Sequence, residues 1–478
     1  RDFCLSRGLG DVYKRQAEYV NKYGAKSYNN NSVINVSGKV IDHEEVCNIV
    51  ESGLDMWFTA GRFNDLFEKK LKQIIDIKYL ITCNSGSSAN LIALSSLCNK
   101  YIMGNDYIPE GSEVITCAVG FPTTVNPIIA NKLTPVFIDS ELKTFNINAN
   151  KIEKAITERT KAIMIAHTLG NPFDLEKIKN ICDKYNLYLI EDCCDALGSK
   201  YDGQHVGKFG DIGTLSFYPA HHITMGEGGA IFTNSSKIKK SMESIRDWGR
   251  DCWCKTGCDN TCKKRFDWKF EKLPYGYDHK YVYSALGYNL KITDMQAAIG
   301  LAQLNKLKKF IDKRKSNFSY LYNLLKDLDK WLVLPGYSSK ANPSWFGFPI
   351  LIKDKRISRN YLVNYLEENQ IKTIKYINLE EFYSKKKATK EDAIIDDQGI
   401  LAETASVPKI DVSEKKEEKK DTKVTKPRSS RTKKVTSSAD KSKDLGEEVK
   451  PSDLNDQTEP VKEETKKTRR RGWWSKNS

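Results

Sequence analysis

Short apolar runs recur along the first half of the chain, and each gives way to a polar turn and then to a stretch of helical periodicity. Tyr79–Cys83, Glu113–Thr116, Pro135–Asp139, Ala162–Ala166 and Leu187–Ile190 are rich in Val, Ile, Leu and aromatic residues. Runs of this length, separated by helix-sized intervals, read as buried strands of a mostly parallel sheet joined by helical crossovers. Sheets of that kind place ligands at the carboxyl ends of their strands. The first such turn, Asn84–Asn90, is made of small polar residues and opens a helix at Leu91–Leu94. First-turn N–H groups of a helix lack intrahelical acceptors and with the helix dipole attract anions, so Gly86 and Ser87 are candidates to hold a phosphate. Upstream, Ser37–Ile41 leads into an amphipathic helix over His43–Leu54, and a second helix is expected around Phe67–Leu71.

Composition divides the chain. With 478 residues and 39% hydrophobic content there is ample material for a core and for two to four domains. Residues 384–478, however, carry 25 Lys+Arg against 19 Asp+Glu, and their only aromatics are Trp473 and Trp474. So polar a segment has too little apolar surface to fold, and a disordered tail is expected. Its positive charge suits a phosphate backbone, which makes the tail the only route to a nucleic acid. The chain has no apolar run long enough for a membrane span and no apolar signal segment, so a cytoplasmic protein without membrane contact is expected. In that compartment the twelve cysteines read as thiols or metal ligands rather than disulfides. Four of them crowd into Cys252, Cys254, Cys258 and Cys262. A four-thiolate site suits zinc or an iron–sulfur cluster, and the spacing departs from the paired C-x2-C frame of zinc sites.

The chemistry gathers in one motif. Ser216-Phe217-Tyr218-Pro219-Ala220-His221-His222 is followed by Gly226-Glu227-Gly228-Gly229 and the apolar run Ala230–Phe232. Pro219 and the glycines read as a hairpin-like site rather than a core strand. This motif resembles the signature of the DegT/DnrJ/EryC1/StrS sugar aminotransferase family, Ser-Phe-x-x-x-Lys and then Gly-Glu-Gly-Gly. The lysine position falls on His221. A lysine would hold pyridoxal phosphate as a Schiff base, whereas an imidazole can only move protons. Within the family the chain therefore looks like the CDP-4-keto-6-deoxyglucose 3-dehydrase subgroup, which uses pyridoxamine phosphate without a covalent bond.

The resemblance implies an aspartate-aminotransferase-like α/β fold, the type I fold of pyridoxal-phosphate transferases. Residues 16–316 would form the large cofactor-binding domain, with an iron–sulfur loop at 252–262. A Lys- and Leu-rich helix expected over Gln303–Lys315 would lead into residues 317–383, which would form a smaller, truncated C-terminal α/β domain, because the resemblance ends near Thr373. Residues 1–15 match nothing in the family and are expected to be an extension. Arg469–Trp474 resembles the end of an RNA-processing ribonuclease tail, so a chimeric reading frame is expected.

The resemblance also assigns roles. Gly86 and Ser87 would take the cofactor phosphate, Phe121 would stack on the ring, and Asp192 would keep the pyridine nitrogen protonated. Ser216 and Tyr218 would complete that site, and Asp195 stands where the aminotransferases carry Gln or His. His221 would be the base at the cofactor's C4′, whereas His167 is expected to be structural. Asn289 would reach the phosphate in a neighbouring subunit, which implies a homodimer. The subgroup's C-x57-C-x-C-x7-C spacing selects Cys194, Cys252, Cys254 and Cys262 for a [2Fe–2S] cluster, leaving Cys258 free. A flavin-containing iron–sulfur reductase would donate the electrons. The implied substrate is a CDP-linked 4-keto-6-deoxyhexose on the route to the 3,6-dideoxy sugars of lipopolysaccharide O-antigen. The rival readings are a cluster-free dehydratase acting on a GDP-linked sugar, a nucleotide-sugar aminotransferase, and RNA binding through the tail.

Overall fold

A computed structural model describes residues 13–20, 22, 32–254, 259–270, 272–354 and 356–374. Residues 1–12, Cys258 and the charged tail thus lie outside the described residues, as does the end of the expected small domain.

Helices α1 (His43–Leu54) and α2 (Arg62–Ile75) precede strand β1 (Tyr79–Cys83) and helix α3 (Gly86–Leu97). Then come β2 (Glu113–Cys117), α4 (Pro122–Ala130), β3 (Thr134–Ile138), β4 (Thr160–Ala166), α5 (Leu175–Tyr185) and β5 (Tyr188–Asp192). Strands β6 (Ile212–Ser216) and β7 (Gly229–Thr233) are followed by α6 (Ser236–Arg246) and the long α7 (Asp294–Leu325). The seven strands form one sheet in the order β1-β7-β6-β5-β4-β2-β3. Its pairings are parallel except that β7 runs antiparallel to both β1 and β6.

Successive strand residues point to opposite faces, and both faces are covered. Ile115, Ile163, Ile165 and Leu189 join the side chains of α2, α5 and α7 in one core. Val114, Ala162, Met164 and Ile190 join those of α3, α4 and α6 in the other. Double coverage explains why these strands read as nearly continuous apolar runs. The motif is hairpin-like as expected, since β6 and β7 pair antiparallel on either side of it, but the expectation that it lies outside the core strands is corrected: both are wholly buried strands inside the sheet. Small residues are required there by close packing, since a Cβ on Gly229 would lie 2.3 Å from the carbonyl oxygen of Ser85.

Two further expectations change. Residues 13–20 are helical, and the Tyr13 hydroxyl donates to Glu51 Oε2 at 2.9 Å, so the stretch set aside as an extension packs on α1 from Tyr13 onward. The helix expected over Gln303–Lys315 runs from Asp294 to Leu325, so residue 317 lies within a continuous helix. Its start is set by a capping box, with Thr293 Oγ1 accepting from Gln296 N and the Gln296 side chain accepting from Thr293 N. Beyond α7, Leu332–Val333 pairs with Leu351–Ile352, and α8 (Arg359–Glu368) follows. Ile34 bridges Ile371 in parallel, so the N-terminal segment contributes to this smaller part. Among the described residues no helix is long and apolar enough to cross a membrane.

Candidate active site

The carboxyl ends of β1, β5 and β6 converge with the start of β7, and the expected site residues lie along this edge. Ser85 caps α3 by accepting the N–H of Ser88 at 3.1 Å, which leaves the first-turn N–H groups of Gly86 and Ser87 without intrahelical acceptors. Ser216, at the end of β6, packs directly on this turn. A Cβ at Gly86 would come within 2.4 Å of Ser216 Cβ and 3.1 Å of Cys194 Sγ. Helix dipole, free amides and the Ser216 hydroxyl together form a cradle suited to a phosphate.

Asp192 ends β5 and is only 4% exposed. Its Oδ2 accepts from Asn90 Nδ2 at 2.8 Å and from Thr124 Oγ1 at 2.7 Å, and its Oδ1 accepts from the Cys194 N–H at 3.1 Å. Asn90 is itself fixed, because its Oδ1 accepts from Thr214 Oγ1 at 2.7 Å. These partners are all neutral, and Asp192 forms no ion pair among the described residues. A buried carboxylate served only by neutral donors is suited to a cationic ring N–H, so the residues fit a protonated pyridine. Sequence reasoning missed Asn90 and Thr124, which hold this carboxylate. Asn90 is the last residue of the turn already read as an anion site, four after Gly86, and Thr124 stands three after Phe121. Phe121 precedes α4 and is 70% exposed, and Tyr218 is 51% exposed. Both therefore offer ring surface at this edge.

The two histidines of the motif differ in every respect. His221 is half-buried, with Nδ1 3.3 Å from Asp195 Oδ1 and its ring 5.2 Å from that of Phe346. Phe346 is a further site residue that the sequence reading did not single out. His222 is 3% exposed, and its Nε2 donates to the carbonyl of Ser344 at 2.8 Å. Burial, with the Arg314 cation nearby, pushes its pKa well below the ordinary histidine value, so it is neutral. His167 is structural as expected: it lies flat on Phe173 at 4.1 Å, and its Nε2 meets buried Glu191 Oε2 at 2.9 Å.

The cysteines separate. The Cys262 N–H donates to Cys254 Sγ at 3.4 Å, and Cys252 and Cys254 interact directly. Burial opposes ionisation of Cys254, but hydrogen bonds from Thr261, Cys262 and Cys252 outweigh it and bring its pKa down to about 7. These three thiols fit a thiolate-bound group. Cys194 lies against Gly86 and Asp192, and among the described residues no hydrogen bond joins it to these three. Burial, and then Asp192 and Asp195, push its thiol well above the ordinary range. Asn289 bridges Asp247 through its backbone, and its Oδ1 accepts from Lys291 Nζ at 2.7 Å.

Comparison with known proteins agrees with this geometry. The chain is 59% identical over 343 residues to the lipopolysaccharide biosynthesis protein RfbH of Salmonella typhimurium, covering 72% of this chain and 78% of that protein. It is 50% identical over 341 residues to the dTDP-4-dehydro-2,6-dideoxy-D-glucose 3-dehydratase of Saccharopolyspora spinosa, covering 71% and 73%. Among solved structures, the E. coli GDP-4-keto-6-deoxy-D-mannose-3-dehydratase with bound hydrated PLP superposes with a TM-score of 0.65. That match has 28% sequence identity and covers 75% of this chain and 89% of that one. A sequence model of the DegT/DnrJ/EryC1/StrS aminotransferases matches residues 39–420, a range that runs past Thr373, and the chain belongs to that family.

Proposed function

We propose that the chain removes the C3 hydroxyl of a nucleotide-linked 4-keto-6-deoxyhexose, using non-covalent pyridoxamine phosphate, on a route to the dideoxy sugars of lipopolysaccharide. The observation that carries this reading is His221, an imidazole in the motif position where the family's aminotransferases carry their lysine. When bound, the cofactor supplies an amine that condenses with the C4 ketone and a ring that accepts electrons. Gly86, Ser87 and Ser216 would hold its phosphate, and Asp192 would keep its ring nitrogen protonated. Because Nδ1 of His221 faces Asp195, Nε2 is the nitrogen left to take a proton at C4′. Asp195 then stabilises the imidazolium, which can return that proton to the departing C3 oxygen so that it leaves as water. Product analysis tests the proposal. With the CDP-linked keto-sugar, pyridoxamine phosphate and a chemical reductant, mass spectrometry should find a ketosugar lacking the C3 oxygen. A 4-amino sugar formed from glutamate would instead make the chain an aminotransferase.

The finer reading is a [2Fe–2S] enzyme fed by a flavin-containing reductase, in which the cluster delivers electrons singly. Its support is the association of Cys252, Cys254 and Cys262, to which the family spacing adds Cys194. Iron assayed in anaerobically purified protein separates this from cluster-free chemistry. Cytidine as the nucleotide, a cytoplasmic location and a homodimer completed by Asn289 belong to the same reading.

A further inference from the structure

Arg314 belongs to no motif, yet it is half-buried against the proposed base. Its Nη1 donates to the carbonyls of Trp345 at 3.2 Å and Phe346 at 3.4 Å, and its Nη2 donates to the carbonyl of His221 at 3.3 Å. Burial disfavours its charge, and Asp195 is the group that offsets this. The guanidinium thus sits behind the His221–Asp195 pair and grips one member by its backbone. The same face of α7 reaches the other. Ile311, one turn earlier, packs on Gly198, three residues after Asp195, where φ is +88° and a Cβ would lie 2.3 Å from Ile311 Cδ1. Both halves of the pair are therefore braced by a single turn of a long helix that is anchored on α1 and α2.

We infer that Arg314 is a positioning residue for the base: its forked hydrogen bonds fix the His221 backbone so that the imidazole stays between Asp195 and C4′ of the cofactor. This rests on the reading of His221 as that base. Only a planar fork serves three carbonyls from one side, so charge alone does not replace it.

The test compares Arg314→Met, Arg314→Lys and His221→Asn in the full-length chain. Two readouts are followed: exchange of the C4′ hydrogen of bound pyridoxamine phosphate with solvent deuterium in the presence of the nucleotide-linked keto-sugar, and reaction of His221 with diethyl pyrocarbonate in the cofactor-free chain, with exposed His43 as internal control. Misplacement of a reacting group by about 1 Å costs up to roughly 100-fold. Arg314→Met should therefore slow exchange about 10–100-fold, with affinity for pyridoxamine phosphate held within about threefold, and Arg314→Lys should recover only part of the loss. In both variants His221 should react faster with the reagent while His43 does not change. Wild-type exchange in Arg314→Met overturns the inference, as does a loss of cofactor binding in proportion to the loss of rate, since that marks a merely structural role. Wild-type exchange in His221→Asn would mean that the reading of the base itself has failed.

Discussion

His221 and His222 are neighbours in sequence and opposites in role. The motif alone points to position 221, but only burial shows why position 222 cannot share the work, because its Nε2 is spent on Ser344, its ring is 3% exposed, and burial lowers its affinity for a proton. Asp195 was legible as a departure from the family pattern, whereas its contact with His221 required the fold to bring β5 and the motif turn together. Removing its charge should leave the imidazolium unsupported. Asp195→Asn is expected to slow proton exchange at C4′ about tenfold or more without weakening cofactor binding, as read by mass spectrometry and by fluorescence titration. The buried histidines also predict acid sensitivity. His205 is lowered by burial to about 4, and His222 lies well below its ordinary value. Below the unfolded value of 6.5 the unfolded chain binds protons that these folded sites refuse. Stability is therefore full above pH 6.5 and falls as pH drops toward 4, by roughly 1 kcal/mol per pH unit for each group. Urea midpoints at pH 7.5 and pH 5 check this, and His205→Gln should flatten the dependence. Equal midpoints in the wild-type chain would contradict it.

At the scale of elements, the strands were legible to within two residues because both faces of the sheet are covered. β1 is found where its apolar run lies, and β2 to β5 differ only at their ends. The flanks of the motif were legible as a hairpin but not as core strands, for a physical reason: their glycines and small residues answer to backbone contacts, such as that of Gly229 with Ser85, which leave no trace in hydropathy. α7 was cut short because its first turns contain Asp294 and Gly300, residues that weaken a helical reading. In the structure Asp294 accepts the N–H groups of Gly61 and Asn64, and a Cβ at Gly300 would lie 2.9 Å from Phe67. The junction of α3 with β6 gives the prediction for this scale. Gly86→Ala places a methyl group 2.4 Å from Ser216 Cβ, an atom fixed to a buried strand, so the helix start must move. Affinity for pyridoxamine phosphate should fall at least about tenfold, with a melting temperature lower by several degrees. An unchanged affinity would remove the phosphate from this cradle.

Over the whole molecule, the family was legible because its motifs sit at strand ends that one sheet edge brings together. The three associated thiols were legible from their density, but Cys258 lies outside the described residues and, among the described residues, no hydrogen bond joins Cys194 to the trio. Tests of the cluster therefore rest on iron itself. The central claim is that an imidazole at the lysine position makes this family member a proton-moving dehydratase. It is tested most directly by deuterium incorporation at C4′ of pyridoxamine phosphate, in the presence of the nucleotide-linked keto-sugar, for the wild-type chain and for His221→Asn. The expected result is ready incorporation by the wild type and a rate roughly 10²–10⁴-fold lower in the variant, at unchanged cofactor affinity. Equal rates in the two proteins would contradict it.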